Sequence, residues 1–518
     1  MTTCATRENI DETARICNLI LPAPDTDFRD FLEEVVKLAQ FAPEIIAAID
    51  RDLDRHAREK KSIRLADRKF LESQTGDLPG MDVAERKIPA EELQLASGRP
   101  RMPAYAVYAF VMIRGFLGSL TSKPARRFLR ESMSLYAFLQ DRGLDLPAAT
   151  TVQENVNLVS TATRELIFDR QLAMALGEGL DDFKSLTADS TAVKANSAWP
   201  TDAKIITALL SRAARLGRKL YLFGLADFPE GWVPRWLERM DKLTFQICLA
   251  AGKAKSKGKL KRHYRQLLNC GRKVEGALTA QLASLGQSLP LKTQAPGRRA
   301  LLQRLLQQIK SDLSDAARVR AYADGRVFRD EKLPSTEKVL SLSDGSAAYI
   351  QKGCRNPVIG YKPQLVRSAN GFVTSLAIPR GNTADCSELE PAISASIHRT
   401  GVVPELVSTD DGYASTKGRE AVLALGVKDV SISGSKGKKL TGPEDWCSVL
   451  YRDARRNRSA VESLMFTIKD GFEFGELSRR GLEAVRDELL EKVLAYNCCR
   501  TPAITTHINQ LHSSRDST

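Results

Sequence analysis

The chain is poor in the residues from which disulfide scaffolds and metal fingers are built. Its nine cysteines are an odd number spread over 518 residues, and none is spaced CxxC. That pattern argues against a disulfide framework or a zinc site. The five histidines, at 56, 263, 398, 507 and 512, form no HxxxH or CxxH group, so none is assigned to a metal. Long apolar runs are missing as well. The longest, AYAVYAFVMI at 104–113, is too short to span a bilayer and is broken by Arg114. The N-terminus, MTTCATRENIDETARIC, has acids where a signal peptide would be basic and then apolar. The expectation is a cytoplasmic protein with reduced cysteines and no membrane partner.

What is present is length and positive charge. A chain of 518 residues accommodates two to four domains and a large core. The formal net charge is +14, a surplus that favours a polyanionic partner, nucleic acid being the usual one.

Residues 1–100 read as helical and surface-rich, with RDLDRHAREKKSIRLADRKF (51–70) as a solvated helix face. Residues 101–180 read as a more apolar helical block. Within it TSKPARRFLRESMSLYAFLQDRG groups Arg126, Arg127 and Arg130 with Lys123, and another helix is expected near 151–176. Short helices joined by tight turns, one of them basic, fit a helix-turn-helix-like DNA reader; they equally fit a small helical bundle. Residues 219–318 read as a helical insertion. In it KAKSKGKLKRHYRQLLNCGRK (253–273) carries nine Lys or Arg and no acid. Lys253, Lys255, Lys257, Lys259, Lys261 and Arg262 are candidates to track phosphates. Tyr264, and Trp232 with Trp236, are expected to pack.

After about 318 the period changes. KVLSLS, AAYIQKG, VIGYKPQLVRS and GFVTSLAIP read as strands, with a hairpin at Ala369-Asn370-Gly371. Helices near 385–399 and 415–425 then alternate with strands at 406–413 and 427–433, the pattern of a mixed α/β sheet. A basic, glycine-bearing loop is expected at 434–447, a long helix over 453–469, a closing helix over 480–499, and a flexible tail over 501–518.

The stretch that organises the chain is TADSTAVKANSAWPTD, 187–202. Its β-branched and apolar residues predict a strand around Asp189, a carboxylate that needs a partner in such a setting. Asp202 is expected to cap a helix over 202–218. Its apolar face is Ile205, Ile206, Leu209, Leu210, Ala213 and Leu216; Lys204, Arg212, Arg215 and Lys219 lie largely off that face.

Two further acids join Asp189. Asp410 ends the strand ELVSTD, and Glu462 lies in the helix carrying RSAVESLMFTIK. In α/β sheets chemistry gathers at the carboxyl ends of strands. Hard oxygen ligands there suit two Mg²⁺ or Mn²⁺ ions, which clamp both oxygens of a phosphodiester displacement. Arg458, Glu462 and Lys469 fall at i, i+4 and i+11, within roughly 40° of one helix face. On such a face Glu holds metal while Arg and Lys hold DNA phosphates.

With these motifs the chain resembles the DDE transposases of bacterial insertion sequences, most closely the ISNCY-type group. The resemblance rests on the stretch around Asp189, on SLSDGSAAYIQKG, IGYKPQLVRSANGFV, GNTAD (381–385) and STDDGY, and on the Arg458, Glu462, Lys469 spacing. It covers about 180–500. Where that signature usually has Tyr, three positions before Arg458, this chain has Arg455.

The resemblance implies a ribonuclease-H-like core over 181–218 and 319–500, an N-terminal helical region (1–100), a helical DNA-binding domain (101–180) and the basic insertion after the first strand. It implies cleavage at element ends and strand transfer into double-stranded target DNA, by a homodimer on DNA. Asp189, Asp410 and Glu462 would be both catalytic and metal-binding. Asp411 is the rival for the second acid, and Asp385 is read as structural. Trp446 is weighed as a base-stacking residue against a packing one. A metal-dependent nuclease without strand joining, or a non-catalytic DNA-binding relic, are the alternatives.

Overall fold

The computed structural model describes residues 23–75, 101–196, 201–223, 228–251, 257–288, 295–332, 338–342, 344–351 and 356–515. By contact these divide into two compact units. One holds the described residues of 1–56, 98–196 and 350–518; the other holds those of 57–97 and 197–349. The expected DNA-binding block, 101–180, therefore shares a unit with the sheet instead of forming a body of its own. The second unit is broader than the expected insertion.

The strands are β1 (Ser185–Ser190), β2 (Val193–Lys194), β3 (Ala348–Ile350), β4 (Val358–Tyr361), β5 (Gln364–Ser368), β6 (Val373–Ala377), β7 (Leu406–Thr409) and β8 (Asp429–Ile432). β1 is the centre of a sheet ordered β6-β5-β1-β7-β8. β5 pairs antiparallel with β1, placing Gln364 opposite Ser190, and β6 pairs antiparallel with β5. β7 and β8 are added in parallel on the other side. Three antiparallel strands extended by two parallel ones, in this order, make a ribonuclease-H-like core. β2 pairs separately with β4. No strand forms over the described part of KVLSLS, and the strand expected over 406–413 ends at Thr409.

The β5–β6 hairpin turns where the spacing places it. Gly371 sits at φ +102°, a conformation that costs residues with a Cβ, and its N–H donates to Ser368 O. Asp181 steadies the turn by accepting from Ser368 Oγ and Asn370 N.

Leu186 and Ala188 point into a core shared with Leu389 and Ile393 of α12 (Asp385–Thr400) and with Val407 and Val430. Each of the larger side chains, Leu186, Leu389, Ile393, Val407 and Val430, contributes about 1.5–3 kcal/mol by its burial. Strand side chains alternate, so Thr187 and Asp189 face the other way. On that other face α16 (Val449–Gly471) packs against β1, β7 and β8.

The helical part of this unit begins with α1 (Ala23–Phe41) and the first residues of α2 (Glu44–Thr75). It continues with α3 (Ala104–Leu117), α4 (Lys123–Glu131), α5 (Met133–Gln140), α6 (Ala149–Val156) and α7 (Thr161–Gly177). The single helix expected over 151–176 is thus two, because Ser160 caps α7 by accepting from Thr163 N. α3 is apolar nearly all round and is buried along most of its length, as such helices must be. It packs against α17 (Leu482–Arg515) so closely that a Cβ on Gly115 would lie 2.0 Å from Glu491 O. α17 continues through Pro502 to Arg515, with Ile504 buried, so the expected flexible tail is helical as far as it is described.

Between β7 and α16 come a 3₁₀ turn (Asp411–Tyr413) and α13 (Thr416–Ala424). After β8, the stretch expected as a loop is two short helices, α14 (Ser435–Leu440) and α15 (Pro443–Cys447).

The second unit is a helical bundle of α8 (Asp202–Leu222), α9 (Val233–Ala250), α10 (Lys257–Ser288) and α11 (Pro296–Phe328) around one core. All six residues expected on the apolar face of α8 are buried. Its cap is Thr201, whose hydroxyl accepts from Lys204 N; Asp202, expected in that role, pairs with Arg326. Tyr264 is buried and accepts from Arg326 Nη2, and burial raises its pKa to about 12. Trp236 packs against the core, whereas Trp232 is exposed. Among the described residues no helix is long and apolar enough to cross a membrane.

Candidate active site

A cavity of about 720 Å³ opens at the carboxyl ends of β1 and β7, within the first unit. Asp189, Asp410, Arg458, Glu462 and Lys469 all line it. Three elements far apart in sequence bring them there. Asp189 is on the α16-facing side of β1 by strand alternation. Asp410 follows directly on β7. Arg458, Glu462 and Lys469 repeat at helical spacing on α16 and present one stripe to the cavity.

The two strand acids are oriented in the same way. Asp189 Oδ1 accepts from the N–H of Ser190 at 2.6 Å, and Asp410 Oδ1 accepts from the N–H of Gly412 at 2.9 Å. Each carboxylate is thereby tied to the backbone at the carboxyl end of its strand. Glu462 is 65% exposed in its side chain and accepts from Arg458 Nη2 at 2.9 Å. An exposed i, i+4 pair of this kind is weak, worth about 0.3–0.5 kcal/mol, and is easily exchanged. The acids share the cavity without closing on one point. Among the described residues, no group of three or more His, Cys, Asp or Glu is drawn together enough to hold a metal ion.

Asp410 and Asp411 have separate surroundings. Asp411 Oδ1 accepts from the N–H groups of Lys436 and Gly437, both at 2.9 Å, at the start of α14. Burial would raise its pKa, but these N–H groups and Ser435 hold it below the usual carboxylate value. Asp411 ties α14 to the turn after β7, while Asp410 lines the cavity.

Beside the cavity runs a buried polar network centred on Asp385. Lys362, in the corner between β4 and β5, is buried. It donates to Asp385 Oδ1 at 2.9 Å and to Thr383 O at 3.0 Å. Gln364 also donates to Asp385 Oδ1, and it accepts from the hydroxyl of Tyr413. Burial alone would raise the pKa of Asp385; hydrogen bonds from Gln364, Lys362 and Ser190 outweigh it and keep the group ionised. Burial raises the pKa of Tyr413, which stays protonated and donates. Ser190 adjoins Asp189 and Tyr413 lies near Asp410, so the network links both strand ends through one fixed carboxylate. Asp385 is in this sense structural.

Met465 and Phe466, together with Ile350 and Val358, give the cavity an apolar wall, and Asp470 is a further acid on its lining. Phe466 and Asp470 fall at i+4 and i+8 from Glu462, so helical periodicity alone could have exposed them. No local signal marks Lys362 or Gln364. Trp446 is engaged by Arg455, whose guanidinium lies 4.3 Å from its ring centroid and donates to its carbonyl oxygen at 3.0 Å. Arg455 thereby holds Trp446 of α15 against α16. Tyr451, nearby on α16, is buried and donates to Asp429 and Val430 O.

The other candidates are distributed. Arg126 and Arg130 on α4 are exposed, while Arg127 pairs with Glu131. Lys257, Lys259, Lys261 and Arg262 are exposed near the start of α10. Lys253 and Lys255 lie outside the described residues.

Residues 323–498 match the family model described as transposase DDE domain. The match includes Asp410, Arg458, Glu462 and Lys469 and begins downstream of Asp189. No curated protein and no solved structure matches the chain.

Proposed function

We propose that this chain, which carries a transposase DDE domain, cuts DNA at the ends of an insertion sequence and joins the freed ends to double-stranded target DNA. The observation that carries the reading is that Asp189, Asp410 and Glu462 line one cavity together with Arg458 and Lys469. The donor set consists of hard carboxylate oxygens, which fit Mg²⁺ or Mn²⁺. Asp189, Asp410 and Glu462 would hold two such ions, which when bound stabilise charge on the attacking and leaving oxygens.

The chain's own groups do the positioning. Asp189 and Asp410 are oriented by backbone N–H groups and offer carboxylate oxygens to the cavity. Arg458 and Lys469 take phosphate oxygens. A phosphate on Arg458 releases Glu462 from its ion pair, so that Glu462 completes the acid set only when DNA is seated. In the first step a water oxygen bonds to phosphorus, the bond from phosphorus to the 3′-oxygen breaks, and a proton goes to that oxygen. In the second step the new 3′-hydroxyl attacks a target phosphorus, displaces the target's 3′-oxygen and passes it the proton. Acting on two ends implies a homodimer on DNA, and the place of action is the cytoplasm, on the nucleoid. Within these transposases we propose the ISNCY-type group, on the order of the motifs.

DNA from both flanks of the gene is the substrate for the test. Wild-type protein with Mg²⁺ is expected to cut at terminal inverted repeats and to join the ends to a target plasmid. Glu462→Gln should lose both steps and still bind the DNA. Cutting by the variant at the wild-type rate would remove Glu462 from the site. Cutting without joining would make the protein a nuclease.

A further inference from the structure

A second site stands apart from the acid cavity, in the helical unit. α8 has no acid between Ala203 and Leu222. Lys204, Arg212, Arg215 and Lys219 fall at i, i+8, i+11 and i+15, all within about 80° of one face. An ordinary solvated helix face mixes the two signs of charge; this one does not.

The first three of these cations line a groove of about 610 Å³. Its floor is rigid. Arg212 donates through Nε and Nη2 to Asp312 at 2.8 and 2.6 Å, and through Nη1 to Leu342 O at 2.8 Å. Asp312 is fully buried and is also held by Gln308. Arg212 is thus neutralised and fixed. Lys204, Arg215 and Lys219 are exposed and have no side-chain partner among the described residues. Ser211 adds a hydroxyl to the groove, and Asp241 of α9 is the one acid on its lining.

From Lys204 to Lys219 the stripe is roughly 22 Å long, at 1.5 Å per residue. No single phosphate reaches across that distance. A nucleic-acid strand, with a phosphate about every 3.4 Å of axis, presents several along it. We infer that this face of α8 is a DNA-backbone site separate from the acid cavity, taking consecutive phosphates of one strand of a duplex. The inference rests on the DNA-processing role proposed above.

The test uses full-length protein and a fluorescein-labelled random-sequence duplex, with anisotropy read from about 50 to 200 mM salt. The variant K204Q/R215Q/K219Q should bind about 10-fold or more weakly, and its plot of log affinity against log salt should be shallower by about 2–3. Ser211→Lys, which adds a cation to the groove, should steepen the slope by about 1, and it keeps the test alive if the triple variant is poorly folded. Inorganic phosphate at equal ionic strength should not displace the duplex. Unchanged affinity and slope in both variants would overturn the site. So would displacement by phosphate, which would make it a free-anion site. Failure of wild-type protein to bind any duplex would instead bring down the proposed function itself.

Discussion

Two acidic centres in the first unit are built in opposite ways, one around a single carboxylate and one around three. Glu491 on α17 is 1% exposed in its side chain and is gripped by three guanidinium groups. Arg114 donates to both its oxygens at 2.7 and 2.6 Å, Arg164 to one at 2.6 Å and Arg479 to the other at 2.9 Å. Burial alone would push its pKa up, but Arg114, Arg479 and Arg164 outweigh that and hold it at about 2. This cluster ties α3 and α7 of the helical block to the helix that closes the sheet unit. In the cavity, Asp189 and Asp410 are each oriented by a neighbouring N–H, and Glu462 is paired with Arg458 in an exposed, exchangeable contact. The carboxylate of Glu491 is enclosed by cations in the interior. Those of the cavity stand on its wall, within reach of a ligand.

Three substitutions sharpen the contrast. The largest effect is expected at the cavity: Asp410→Asn should reduce DNA cleavage to background while leaving the melting temperature near that of wild type. A variant that still cuts would erase the distinction between the two groups.

The next is at the cluster. Glu491→Gln removes the charge that three guanidinium groups share, while Arg164 keeps Asp487, and should cost about 3–5 kcal/mol in urea unfolding at neutral pH. The depressed pKa gives the sign of the pH effect. Glu491 contributes its stability in full above about 4.5, the ordinary value, and loses it as pH falls toward about 2. Wild-type protein should therefore weaken across that window, and the Gln variant should be flatter there. Equal slopes would show that the cluster does not carry the acid sensitivity.

The smallest is Asp411→Ala, one residue from Asp410. It removes the acceptor at the start of α14 and should cost about 1 kcal/mol, with cleavage chemistry retained. If it were as inactive as Asp410→Asn, the division of labour between the adjacent acids would fail.

Much of the cavity was legible in the sequence because its signals are local. Strand alternation places Asp189, and a 3.6-residue repeat aligns Arg458, Glu462 and Lys469. What stayed hidden depends on partners distant in the chain. Asp410 and Asp411 are adjacent and chemically alike; only the N–H groups of Lys436 and Gly437 tell them apart. Lys362 becomes a buried cation only because α12 brings Asp385 to it. Thr201 and Asp202 both suit a helix cap, and Arg326, more than a hundred residues on, claims the second. The polar end of α17 reads as a tail, yet Ile504 is buried.

The order of the strands also bears on how the chain is made. β1 leaves the ribosome early, but β5, its antiparallel neighbour, follows only after about 170 more residues, on the order of 10–30 s of synthesis. The parallel neighbour β7 comes later still. For that interval the central strand of the sheet has neither edge covered, and pairings so distant in the chain form slowly. Nascent chains halted before β5 should be the most prone to aggregate and the most dependent on chaperones.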